Sequence, residues 1–82
     1  MEKRIGAAII LVEKKESVEE LNSILSAHSV VILARQGLPL RDKGINIINL
    51  ILEGTTDQIS TLTGKIGRLE GIQVKSVLTK YR

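Results

Sequence analysis

The chain has 82 residues and a net charge of +3, from 12 basic and 9 acidic side chains, and it contains no cysteine. That length makes one domain near the size where a single core only just offsets chain entropy, and the missing cysteine excludes disulfides and thiolate metal sites as staples. Association with further copies is the remaining route to a stability margin. The basic residues are scattered and form no run that neutralises several phosphates, so direct nucleic-acid binding is not expected.

Residues 3–13 read as a first strand with Ile5, Ala7, Ile9 and Leu11 on one face and Gly6, Ala8, Ile10 and Val12 on the other. The apolar run within it is too short to span a membrane, ends in Glu13-Lys14-Lys15-Glu16 and is followed by no small-residue cleavage site, so a cytoplasmic protein is expected. Ser17 and Glu20 have capping-box spacing and predict a helix to about His28, with its stripe at Val18, Leu21, Ile24, Leu25 and His28. A short β-branched strand is expected over residues 29–35. Residues 36–44 then read as the longest irregular segment, because Pro39 lies between Gly37 and Gly44.

The most apolar stretch is 44–54, where Ile45, Ile47 and Ile51 share one face and Ile48, Leu50 and Leu52 the other. A strand apolar on both faces belongs in the middle of a sheet covered twice. Thr55 and Gln58 offer a second cap, and Ile59, Leu62, Ile66 and Leu69 a second helical stripe, which Gly71 is placed to end. Residues 72–79 alternate in the manner of an edge strand.

The order β-α-β-β-α-β in a single domain over 1–82 gives an α+β class and a ferredoxin-like sandwich: a four-stranded antiparallel sheet with two helices on one face. One sheet face is then bare. Because both inferred central strands are apolar there, it is expected to close on a second copy of the chain.

Seven residues are candidates for ligand or interface contact. His28 ends the first helix, but one histidine without cysteine falls short of a transition-metal site, and neither metal nor cofactor is expected. Arg35, Gln36, Gly37 and Arg41 place two guanidiniums about a glycine amide, a set suited to a carboxylate or phosphate, or else an exposed turn. Asn46 and Asn49 interrupt the apolar strand on opposite faces, and a buried amide must find partners. Gly64 and Gly67 form a GxxG within the helical stripe; close packing of the helix on the sheet or on a neighbouring chain explains them better than the RNA clamp that joins two helices in KH domains.

Other uses of this strand order fail on residues. An RNA-recognition motif stacks bases on central aromatics, and the single aromatic is Tyr81 at the end of the chain. A metallochaperone needs CxxC. An acylphosphatase-like enzyme holds a phosphate with an arginine on a glycine-rich loop and orients water with an asparagine; Arg35 with Gln36-Gly37 and Asn46 or Asn49 supply those residue types. That loop follows the first strand in such enzymes and the second strand here, so no enzyme is expected and this activity stands only as an alternative.

Leu21-Asn22, Leu25 and His28, the run Arg35-Gln36-Gly37-Leu38-Pro39, the 44–54 strand leading into Thr56-Asp57, and Leu62-Thr63-Gly64-Lys65-Ile66-Gly67 followed by Gly71-Ile72-Gln73-Val74 carry a further likeness. Through them the chain resembles the iron-only (FeFe) hydrogenase system regulators, small ACT-like proteins similar to the C-terminal domain of the nickel-responsive regulator. The resemblance implies a regulatory protein associated with hydrogenase assembly or expression, an ACT-like domain that pairs through its sheets. The expectation drawn here is a homo-oligomeric module that senses a small ligand or binds a protein partner, with a pure interaction protein without ligand as the alternative. Its first turn, Glu13 to Ser17, lacks the glycine and proline of amino-acid-binding ACT domains. With only His28, it also lacks the nickel regulator's ligand set. No DNA-binding segment is expected before a domain that begins within a few residues of Met1.

Overall fold

The computed structural model of the protein describes residues 2–80. Strands β1 (Arg4–Val12), β2 (Ile32–Leu40), β3 (Ile45–Gly54) and β4 (Ile72–Leu78) form one antiparallel sheet in the order β2-β3-β1-β4. Helices α1 (Val18–Ala27) and α2 (Thr56–Gly67) connect β1 to β2 and β3 to β4. The expected α+β, ferredoxin-like architecture is therefore the one observed. The two doubly apolar strands, β1 and β3, are the central pair.

Alternation along the central strands separates a core from an open surface. On β1, Ala8, Ile10 and Val12 are buried with Leu50 and Leu52 of β3 against Leu21 and Leu25 of α1 and Ile59, Leu62 and Ile66 of α2. Residues one step out of phase face away from the helices. Fully burying an aliphatic side chain of this kind is worth about 1.5–3 kcal/mol, so this one layer supplies most of the hydrophobic stabilisation available to so small a domain.

Helix α2 begins as its sequence predicts. The Thr55 hydroxyl accepts from the Gln58 amide at 3.1 Å while the Thr55 amide donates to Gln58 Oε1 at 2.8 Å, a complete capping box.

Four expectations need correction. Ser17 precedes α1 but does not cap it: residues Lys15–Ser17 form a single 3-10 turn that leaves Ser17 in a helical conformation. Its buried hydroxyl instead donates to the Glu70 carbonyl at 2.7 Å. Residues Ser29–Val31 form another 3-10 turn, so β2 starts at Ile32, and it runs on through Gln36 to Leu40. The supposed long loop is thus mostly strand. Local composition misled here because Gly37 and Pro39 lie on an edge strand, where a residue without an amide proton costs no ladder bond. Helix α2 ends at Gly67, and Gly71 (φ 73°) turns the chain into β4. Finally, a Cβ on Gly64 would meet nothing within 4 Å, and one on Gly67 only Val74 Cγ1 at 3.5 Å, so packing within the chain does not require either glycine.

Candidate functional site

The register places the candidate residues in three separate regions. On the open face, Gln36 lies opposite Asn49, Asn49 opposite Ile9, and Ile9 opposite Lys75, forming one row across all four strands. The row on one side is Leu38, Ile47, Leu11 and Gln73; the row on the other is Ala34, Ile51, Ala7 and Val77. Two amides therefore sit within a largely apolar surface. Among the described residues, neither Gln36 nor Asn49 has a side-chain hydrogen bond, and both are exposed. Exposure of Leu38 (55%), Ile51 (43%) and Val77 (66%) shows how far this face stands open.

The second region is the end of the sandwich where β1 and β2 finish and β3 begins. The turn 41–44 lies there beside the β1–α1 connection, and Arg41 and Asn46 line a hollow between them. Close by, the α2–β4 turn is fastened to the same connection. Lys14 Nζ donates to Glu70 Oε2 at 2.6 Å, and the Glu13 amide donates to the Gly71 carbonyl at 2.7 Å. The Lys14 hydrogen bond, reinforced by its charge, lowers the Glu70 carboxyl below its ordinary 4.5, and the same contact raises Lys14 above 10.5. Both side chains are well exposed, so this pair acts as a pin more than as a source of stability.

His28 and Arg35 occupy the third region, on the helix side. His28 is half-buried at the C-terminal end of α1, and its Nε2 stands 3.3 Å from Lys65 Nζ on α2. Arg35 donates to Asn22 Oδ1 of α1 at 2.9 Å, which ties the edge strand to the helix. Its guanidinium does not converge with that of Arg41. The two lie six positions apart along extended chain, a backbone distance of about 20 Å. Gly37 has open space where a Cβ would stand and no left-handed backbone. The residue types of the acylphosphatase reading are likewise dispersed: Arg35 and Asn49 are on opposite faces, and Asn46 pairs with Pro39, four positions along the strand from Arg35. Among the described residues no three of His, Cys, Asp and Glu cluster to hold a metal ion, and Tyr81 lies outside those residues.

Sequence reasoning missed Lys14, Lys15 and Glu70. Their partners are 56 positions apart in the pinned pair, so no local pattern reveals them. The signal was topological: in this strand order the β1–α1 connection, the β2–β3 turn and the α2–β4 turn all fall at one end.

No helix is long and apolar enough to cross a membrane among the described residues. A comparison with curated proteins finds no match. Among solved structures, the uncharacterized protein TM1266 from Thermotoga maritima is similar over 96% of this chain and 100% of its own, with 36% identity and a TM-score of 0.91. The C-terminal domain of the MgtC protein from Mycobacterium tuberculosis (9% identity, 95% and 89% covered, TM-score 0.72) and the periplasmic divalent cation tolerance protein CutA from Archaeoglobus fulgidus (8%, 95% and 86%, 0.54) share the fold. Residues 4–76 match the TM1266-like family model, described as "Iron-only hydrogenase system regulator, putative". On that match and on the 36% identity over nearly the whole chain, this protein belongs to the TM1266-like family.

Proposed function

We propose that the protein is a cytoplasmic regulatory module of an iron-only hydrogenase system, an ACT-like domain akin to that of the nickel-responsive regulator, which associates through its open sheet face and responds to a small ligand or protein partner. The observation that carries this reading is the open face itself. Ile9 at 46% exposure, Ile51 and Val77 form one continuous apolar surface on the strands that the helices leave uncovered. Monomeric proteins rarely leave such a surface in water.

A second copy is the occupant favoured by size. Four strands about 4.8 Å apart and about nine residues long give a face of roughly 19 by 30 Å, or about 1,100 Å² for two copies, which clears the ~1,000 Å² of a specific interface. Asn49 and Gln36 also suit a self-complementary contact, because each primary amide both donates and accepts and can pair with its counterpart across a two-fold axis.

Sedimentation velocity at micromolar concentration tests the association, and a monomer there overturns it. Thermal unfolding with amino acids, nucleotides, acyl phosphate, nickel, iron and zinc tests the sensing. A concentration-dependent rise in midpoint for one class supports a sensor, since a compound that binds only the folded state stabilises it. An intact oligomer with no rise for any class leaves a scaffold that binds protein alone.

A further inference from the structure

The hollow beside the β2–β3 turn has a volume of about 380 Å³. Its walls include Val12, Pro39 and Leu40, and Lys15, Arg41 and Asn46 contribute its polar groups. Apolar and polar side chains share its lining about evenly, which makes it more polar than most small-molecule sites, and its volume lies at the lower end of the roughly 300–1,000 Å³ that such sites have. At about 30 Å³ for each water-sized group, it admits roughly a dozen non-hydrogen atoms.

Among the described residues, the side chains of Lys15, Arg41 and Asn46 make no hydrogen bond or ion pair. An adjoining hollow of about 620 Å³ shares Glu13, Lys15 and Gly44 with it and adds Glu16, and there Lys14, Ser17 and Glu70 satisfy one another. Glu13 is the one acid lining the smaller hollow, and it accepts from Gln73 Nε2 at 3.4 Å. Two cations against that single carboxylate leave the hollow positive.

We infer that this hollow binds a small organic anion, whose carboxylate or phosphate is held by Arg41 and Lys15 and whose apolar remainder lies on Pro39 and Leu40. A guanidinium offers parallel donors that match two oxygens of either group, and the lysine ammonium adds a compact charge. The Asn46 amide is free to donate to the same anion. This inference rests on the ligand-sensing part of the reading above and is independent of the association part.

The test is calorimetry and thermal unfolding of the full chain with octanoate, inorganic phosphate and the uncharged octanamide. Octanoate is expected to bind and raise the unfolding midpoint, and octanamide is expected to do neither at ~10 mM. Arg41→Ala and Lys15→Ala should each weaken octanoate at least about tenfold, the effect of losing one charge-assisted contact, while their unliganded midpoints stay unchanged. Arg4→Ala, which removes the same charge at the far end of β1, should leave binding intact. Phosphate that competes with octanoate identifies a shared anion seat; octanoate bound without such competition identifies a carboxylate with an apolar tail as the ligand class. Octanoate binding that neither Arg41→Ala nor Lys15→Ala weakens overturns the hollow as the site while leaving the sensing reading in place. No binding of either anion, or octanamide binding as well as octanoate, overturns the inference outright, and the wider panel of compounds then decides the sensing reading separately.

Discussion

Ile51→Glu tests the proposed association through the open face apart from what that face does for a single chain. Ile51 is 43% exposed, so a little over half of its side chain is already covered within the subunit. With full burial worth about 1.5–3 kcal/mol, the isolated subunit loses about 1–2 kcal/mol from that half, and the poorer strand propensity of glutamate adds up to about 1 kcal/mol. The helix-facing core is untouched. Between copies the effect is larger, because a two-fold interface repeats the change and must desolvate two carboxylates. Ile51 is flanked across the strands by Ala34 and Ala7 and lies two positions from Glu53, so no cation of the same face is next to the new charge. An uncompensated charge in an interface costs about 3 kcal/mol or more, which weakens association at least about a hundredfold. Sedimentation velocity should find the variant monomeric at concentrations where the parent is associated, with an unaltered far-ultraviolet dichroism spectrum. A variant that stays folded and fully associated refutes the assignment of this face to the interface.

Three further predictions concern the fold. Thr55→Ala removes the hydroxyl that accepts from the Gln58 amide and should cost about 1 kcal/mol, read as a fall in the denaturant midpoint with an unchanged slope. Gly71→Ala is more severe: the backbone is left-handed (φ 73°), and a Cβ would stand 2.6 Å from Lys14 Cβ. Its cost should be about 1–3 kcal/mol, and chemical denaturation that shows no loss would mean that the turn relaxes freely. The Lys14–Glu70 pair gives a weak pH dependence with two edges. Glu70, lowered from 4.5, contributes stability above that value and loses it as pH falls through its folded-state value; Lys14, raised from 10.5, contributes below that value and loses it as pH rises past its folded-state value. Glu70→Gln should flatten both edges in thermal scans, whereas unchanged edges would assign them to other groups.

The fold was legible because burial is written twice into the sequence. Apolar residues on both faces of β1 and β3 marked them as central, and the 3.6-residue stripes of α1 and α2 marked the covered face. What failed was local chemistry with a distant answer. Ser17 and Glu20 have capping-box spacing, yet the Ser17 hydroxyl is taken by the carbonyl of Glu70, 53 positions away. Gly37 and Pro39 have loop composition, yet β3 supplies a neighbouring strand on one side only and tolerates both. The candidate site suffered the same limitation. Arg35 and Arg41 are close in sequence and suit one anion by residue type, but an extended strand carries them apart, and Arg41 finds its counterpart in Lys15 on another connection. Asn49 was assigned correctly to a face of its strand, since period two is a local rule; its row-mates Gln36 and Lys75 depend on register, which no single segment specifies.

Strand β3 links the hollow to the open face. Asn46 lines the hollow and Asn49 lies on the open face, three residues and about 10 Å away on the same strand. A ligand held between Arg41 and Lys15 would brace the β2–β3 turn, and the strands leaving that turn carry Leu38, Gln36, Ile47 and Asn49 into the face. For such bracing to regulate anything, the anion must bind the associated and dissociated chains with different affinity, and association must then change anion affinity by the same factor. The expected signature is a shift in the association constant, measured by sedimentation across a titration with octanoate, that disappears in Arg41→Ala. A coupling of about 1–3 kcal/mol, or 5- to 150-fold, is the usual range for such links. An association constant unchanged by saturating octanoate would make the hollow and the face independent devices, and a regulatory signal would then have to act on a partner bound at one of them.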